Sequence, residues 1–181
     1  MASIGHIAVG LAAGRAWSSR VPKGGLRAPM IGLVALSLLS DADVVAFALG
    51  IPYEATWGHR GATHSLAFAA AMGVLAAVAW PRIDRSRRAA WGLVAALVVA
   101  SHPLLDALTD GGLGVALAWP WSDARMFAPW RPLPVAPIGR RLLSGWGMRV
   151  MATETLVFAP LLLYALWPRG RDPAAAGRPG A

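Results

Sequence analysis

The chain alternates apolar stretches with short polar ones, and the apolar stretches have helical rather than strand length. Residues 3–17 (SIGHIAVGLAAGRAW) predict a short apolar helix, too short to cross a bilayer comfortably alone. Residues 18–28 are a polar, basic linker with Pro22, Gly24 and Gly25. Residues 29–50 are apolar except for Ser37, Ser40, Asp41 and Asp43, and 51–63 form a Gly/Pro-bearing loop. Residues 64–80 predict the next helix, ended by Trp80-Pro81, and the basic loop 82–88 follows. Residues 89–109 are a spanning candidate, roughly 30 Å long at 1.5 Å per residue. A Gly/Pro/Trp-rich connection covers 110–149, the last apolar helix 150–168, and a Pro/Gly/Arg tail, expected to be disordered, 169–181. The expected fold is all-α. It is a polytopic membrane bundle of about five apolar helices, the first spanning or re-entrant, in a single domain (1–168) followed by the basic tail.

Composition supports a membrane setting. The 181 residues suit one domain, and 56% are hydrophobic against 14% charged, with nine Trp. The absence of cysteine excludes disulfides, iron–sulfur clusters and thiolate metal sites. A bound metal must use imidazole and carboxylate, which suits Zn, Mn, Fe or Mg. The net charge of +8 fits either nucleic acid or anionic headgroups and cytoplasmic loops. Residues 1–17 lack the positive start of a signal peptide, because the first basic residue, Arg15, follows the apolar run.

The positions of the charges decide between these. If the helices alternate direction, one side collects Arg15, Arg20, Lys23, Arg27, Arg82, Arg85, Arg87, Arg88, Arg169, Arg171 and Arg178. The other side holds Arg60, Arg125, Arg131, Arg140, Arg141 and Arg149. The short loops carry the bias, so they are expected to be cytoplasmic and the N-terminus outside. On that topology His6, Asp41, Asp43, His59, His64, His102, Asp106 and Glu154 all fall in one outer layer. No nucleic-acid partner is expected, since most basic residues lie in the opposite loops.

These residues carry the candidate chemistry. His102 and Asp106 are spaced i, i+4 and share a helix face. They suit two ligands of one metal, or a buried histidine paired to an acid one turn away. Asp41 and Asp43, at i, i+2, diverge on a regular helix and converge only if the segment unwinds. Otherwise they are solvated acids at a helix end. Between His59 and His64, Gly61 permits a tight turn and Thr63 can cap the following helix. His6 gains weight from its layer; alone it reads as a core residue. Glu154 is a ligand, a partner orienting a histidine, a general base, or a helix N-terminal charge. Arg125, Arg131, Arg140 and Arg141 can hold anionic headgroups or act as interfacial anchors. Trp119, Trp121, Trp130 and Trp146 suit an interfacial aromatic belt. Gly111-Gly112-Leu113-Gly114 lacks the lysine of a phosphate-binding loop and reads as a turn.

Taken together, His6, Asp41-Ala-Asp43, His59-Arg-Gly-Ala-Thr-His64-Ser-Leu and His102-x-x-x-Asp106-x-x-Thr109 followed by Gly111-Gly112 resemble the membrane-bound metal-dependent hydrolases of the DUF457/YdjM type. Pro120-Trp121-Ser122-Asp123-Ala-Arg125 is similar to the segment those proteins carry before their last helix. Ser40 stands where relatives often have Pro, and Pro103 lies inside the His102–Asp106 turn. That family is distantly similar to the all-helical zinc phospholipase C and P1-nuclease group. The resemblance implies that His6, Asp41, Asp43, His59, His64, His102 and Asp106 hold two or more divalent ions, zinc first among them. It implies hydrolysis of phosphoester bonds in lipid-like substrates at a bacterial inner membrane, and the charge topology puts the site on the extracytoplasmic side. On this reading Asp41, Asp43 or Glu154 serves the chemistry and Arg60 or Arg125 stabilises phosphate charge. The alternative is a non-enzymatic metal-binding or metal-transport protein, which requires ionisable groups spread through the membrane depth.

Overall fold

The computed structural model describes residues 1, 3–20, 25–80 and 83–168. In chain order its helices are α1 (Ile4–Arg20), α2 (Arg27–Leu38), α3 (Val45–Ala48), α4 (Leu66–Ala79), α5 (Arg88–Ala107), α6 (Gly145–Val157) and α7 (Ala159–Leu166). Among the described residues there is no strand, only two isolated bridges, so the all-α expectation holds. The basic tail and the linker positions Pro22, Lys23, Gly24, Pro81 and Arg82 lie outside the described residues.

The apolar stretches are helical, but of the about five apolar helices expected only two, or three with a bent pair, are of spanning length among the described residues. Arg27–Ala48 and Arg85–Ala107 are long and apolar enough to cross a membrane. The α6–α7 pair adds a third if taken as one span, bent by 64°. The expected single helix 150–168 therefore starts earlier and breaks. Pro160, at the head of α7, has no N–H to continue the ladder across Phe158. At 14 residues, α4 reaches only about 21 Å.

Small residues bring the helices together. Gly10 and Gly14 of α1 face α2, and a Cβ on Gly10 would sit 2.7 Å from Val34 Cα. Gly73 of α4 and Gly92 of α5 face one another, and a Cβ on Gly73 would meet Ala96 Cβ at 2.6 Å. Without a hydrophobic force between lipid-bathed helices, such close backbone approach supplies the dispersion contacts that hold them. Val74, Leu75, Val78, Leu93, Leu97, Leu163 and Leu166 point outward, the apolar face a bilayer requires.

The bundle has two unlike ends. Trp17 closes α1 against Trp91 at the start of α5, 5.1 Å between ring centroids, with Trp80 alongside and Leu33 and Val98 in the same core. At the other end His6 of α1 stacks on His102 of α5 at 3.6 Å. There α2 tightens into a 3-10 turn, Leu39–Val44, which carries both Asp41 and Asp43. The connection after α5 folds back over this end. Ala128 N–H donates to Ala107 O (2.8 Å) and Leu133 N–H to Leu108 O (3.2 Å), which satisfies carbonyls that the end of α5 leaves open.

Candidate metal centre

Two helices and two turns aim side chains at one region. His102 and Asp106 share the buried face of α5, as their spacing requires, and Pro103 between them does not divert either. His102 Nδ1 lies 2.6 Å from Ser37 O. The carbonyl can only accept, so Nδ1 carries the proton and Nε2 presents a lone pair. That Nε2 is 3.3 Å from Asp41 Oδ1 and 3.8 Å from Asp106 Oδ2. His64 Nε2 is 3.5 Å from Asp106 Oδ2 and 3.7 Å from Asp41 Oδ1. His6 Nε2 lies 3.7 Å from Asp106 Oδ1.

These separations test whether a cation fits. The Nε2 atoms of His6, His64 and His102 are buried and have no hydrogen-bond partner. They lie 3.3–3.8 Å from the carboxylates without hydrogen-bond alignment. These separations match the spacing of about 3.4 Å between neighbouring ligands around a tetrahedral ion with bonds near 2.1 Å. Asp41, His64, His102 and Asp106 each bring one ligand atom within 4.8 Å of all the others, as do Asp43, His59 and His64. Neutral imidazoles and carboxylates are the donor set of zinc and other borderline cations. The residues present fit a divalent ion.

The two aspartates diverge rather than converge. The 3-10 turn sends Asp41 to the Nε2 side of His64 and Asp43 to its Nδ1 side, 3.0 Å away. Asp43 is fully engaged. His59 Nδ1 is 2.7 Å from Oδ1, and Arg60 N–H (3.1 Å) and the Thr63 hydroxyl (2.7 Å) donate to Oδ2. Asp41 is partly exposed and faces a cavity of about 690 Å³, whose floor also holds His59, Arg60 and Asp106.

The 59–64 loop forms differently from the sequence reading. Its strained residue is Arg60 (φ +62°), not Gly61, and Gly61 is needed because a Cβ there would strike Thr56 O. Ser65, not Thr63, caps α4, accepting from Phe68 N–H at 3.0 Å. Thr63 is freed to hold Asp43. Burial alone would lower the pKa of His64. The surrounding Asp106, Asp41 and Asp43 outweigh it and push the value up to about 10.

The other candidates take different places. Arg60 is buried, with Nε 3.2 Å from Asp106 Oδ2 as a charge contact without hydrogen-bond alignment, and Nη1 donating to Gly111 O (3.0 Å). Arg125 lies outside the cavity lining. Its guanidinium donates to the carbonyls of Tyr53, Ala55 and His59 and stacks over the Tyr53 ring. Glu154 belongs to neither ligand group. Its Oε2 accepts from Gly5 N–H (3.3 Å) at the N-terminus of α1, one residue before His6. The Met1 ammonium donates to Asp106 Oδ1 at 2.7 Å. Tyr53, which sequence reasoning missed, lines the cavity and stacks on His59 at 5.3 Å. Its one clue was an aromatic residue in the loop before His59.

Comparison with known proteins agrees with this architecture. A family model described as YdjM inner membrane protein matches residues 1–171. Over 172 residues the chain is 39% identical to the inner membrane protein YbcI of Escherichia coli (strain K12), covering 93% of this chain and 98% of that one. No solved structure matches.

Proposed function

The chain belongs to the YdjM inner membrane protein family, and on that premise we propose that it is a metal-dependent hydrolase of phosphoester bonds in lipid-like substrates. One observation carries the reading: the buried, unpartnered Nε2 atoms of His64 and His102 converge with Asp41 and Asp106, and those two carboxylates line a ligand-sized cavity. Asp41, His64, His102 and Asp106 would hold the ion, with His6 beside them. A divalent cation supplies polarisation of a phosphoryl oxygen and lowers the pKa of water to about 7.

The chain's own groups do the rest. Asp43 and Thr63 fix the His64 ring, and Ser37 O fixes that of His102, so both present Nε2 inward. Arg60, held by Asp106 and Gly111 O, places fixed positive charge on the cavity floor where a phosphate would gain charge. Asp41 has one oxygen toward the histidines and is exposed enough to take a proton from water in the cavity. The buried ionisable side chains gather at one end of the bundle while the other end is closed by tryptophans. That layout supports a site rather than a transport path through the membrane. In this reading the site faces the extracytoplasmic side of a bacterial inner membrane.

The test is elemental analysis of purified protein followed by a screen of phosphorylated lipids. His64→Ala and His102→Ala are expected to insert normally and to lose both metal and hydrolysis. Retained hydrolysis in both variants would defeat the proposal.

A further inference from the structure

One stretch of the cavity lining carries none of the candidate ligands. It is a strap running from Val135 to Leu142, and it hangs from fixed points. Val135 N–H donates to Asp110 Oδ1 (2.7 Å), and Trp146 Nε1–H donates to Val135 O (3.2 Å). The strap turns at Gly139, whose φ of +67° suits glycine. Toward the cavity it presents Val135, Pro137, Ile138 and Leu142, with Val44 also in the lining. Arg141 is the exception. It lines the same cavity, is exposed, and makes no side-chain hydrogen bond or ion pair with any described residue.

The cavity is thus divided. Among the described residues its acids are Asp41 and Asp106, both at the floor, and the strap side is apolar except for one unpaired cation, Arg141. A molecule that fills both parts needs a phosphate at the floor, an apolar body along the wall and spare negative charge for Arg141. A zwitterionic headgroup would bring its ammonium toward Arg141 with no wall carboxylate to receive it. We propose that the strap and Arg141 form a recognition subsite for an anionic amphiphile, a lipid with a phosphate monoester headgroup, favoured over zwitterionic phospholipid. This rests on the hydrolase reading, which places the phosphate at the floor; the preference assigned to Arg141 is read by binding alone.

The probe is dioleoyl phosphatidic acid against dioleoyl phosphatidylcholine, presented together to chelator-treated protein in mild detergent, with bound lipid counted by native mass spectrometry. Wild type is expected to favour phosphatidic acid by about tenfold, the worth of one charge-assisted contact. Arg141→Ala should bring the ratio toward unity, and Arg141→Lys should restore part of it. Arg140→Ala, outside the lining, should leave it unchanged. Ile138→Asp should weaken both lipids. Equal binding of the two lipids by wild type, or an unchanged ratio in Arg141→Ala, overturns the proposal. Displacement by inorganic phosphate as effective as by phosphatidic acid would show a free-anion site and also overturn it. Since no turnover is measured, a protein that passes this test and hydrolyses nothing sinks the hydrolase reading alone.

Discussion

Asp43 offers the sharpest test of how the centre is built. On the proposed reading it is a carboxylate that orients imidazoles, and Asp41 is the one that would touch the ion. Asp43 holds His59 Nδ1 at 2.7 Å and His64 Nδ1 at 3.0 Å, and its remaining capacity goes to Arg60 N–H and Thr63. Asp43→Ala removes all four contacts but no Nε2 lone pair. Loss of such an orienting group weakens metal binding by roughly 10–100-fold, which is about 1.4–2.7 kcal/mol. Leaving the Arg60 N–H unpaired costs a further 1–3 kcal/mol or so of folding stability. Cobalt(II) titration of detergent-purified protein, followed by absorbance, separates the cases. Asp43→Ala should bind the same number of ions as wild type at lower affinity, whereas Asp41→Ala should lose an ion. Asp43→Asn, which keeps an acceptor for one ring, should fall between. If Asp43→Ala loses the ion and Asp41→Ala keeps it, the assignment is reversed and the reasoning fails.

Three further outcomes follow from the same structure. Glu154→Ala removes the carboxylate at the start of α1. It should lower stability by about 1–3 kcal/mol, read as a drop in melting temperature, with metal stoichiometry retained. His64 in the ion-free protein has its pKa raised to about 10 from an ordinary 6.5. Its stabilising contribution is therefore full below pH 6.5 or so and lost as pH rises through about 10, which thermal melts in chelator would show. At pH 8 ion binding should release close to one proton from this residue, measurable by titration calorimetry in buffers of different ionisation enthalpy. Gly73→Val inserts bulk where a Cβ alone already meets Ala96 and Gly92 O. It should separate α4 from α5 and cost at least about 1–3 kcal/mol. Unchanged folding would show that the two helices slide freely.

Much of the centre was legible because each residue's element could be placed by periodicity. The i, i+4 spacing of His102 and Asp106 put both on one helix face, where they stand. The counting of Arg and Lys gathered His6, Asp41, His64 and Asp106 into one layer, and in the structure they meet. What was not legible depends on backbone partners distant in the chain. Arg125 reads as a free cation in the sequence, but carbonyls some seventy residues earlier occupy it. Glu154 reads as a ligand, a histidine partner, a base or a helix N-terminal charge, and only the structure shows that it meets an N–H 149 positions away, at the start of α1. The division between Asp41 and Asp43 needed the local tightening of Leu39–Val44, which no spacing rule supplies. Pro160 signals the break between α6 and α7, but the unbroken apolarity of 150–168 masks it in the sequence.

The connection between α5 and α6 has a practical consequence. A glycine- and proline-rich stretch of this length ordinarily tolerates tags, epitopes or a protease nick. Here Leu66 N–H donates to Leu117 O, Ala116 N–H to Arg60 O, and Val115 and Met126 exchange a pair of hydrogen bonds. Foreign sequence placed between residues 115 and 126 would pull directly on Arg60 and on the first turn of α4. Labels for imaging or purification belong elsewhere, and an insertion scan should find this stretch as intolerant as a helix.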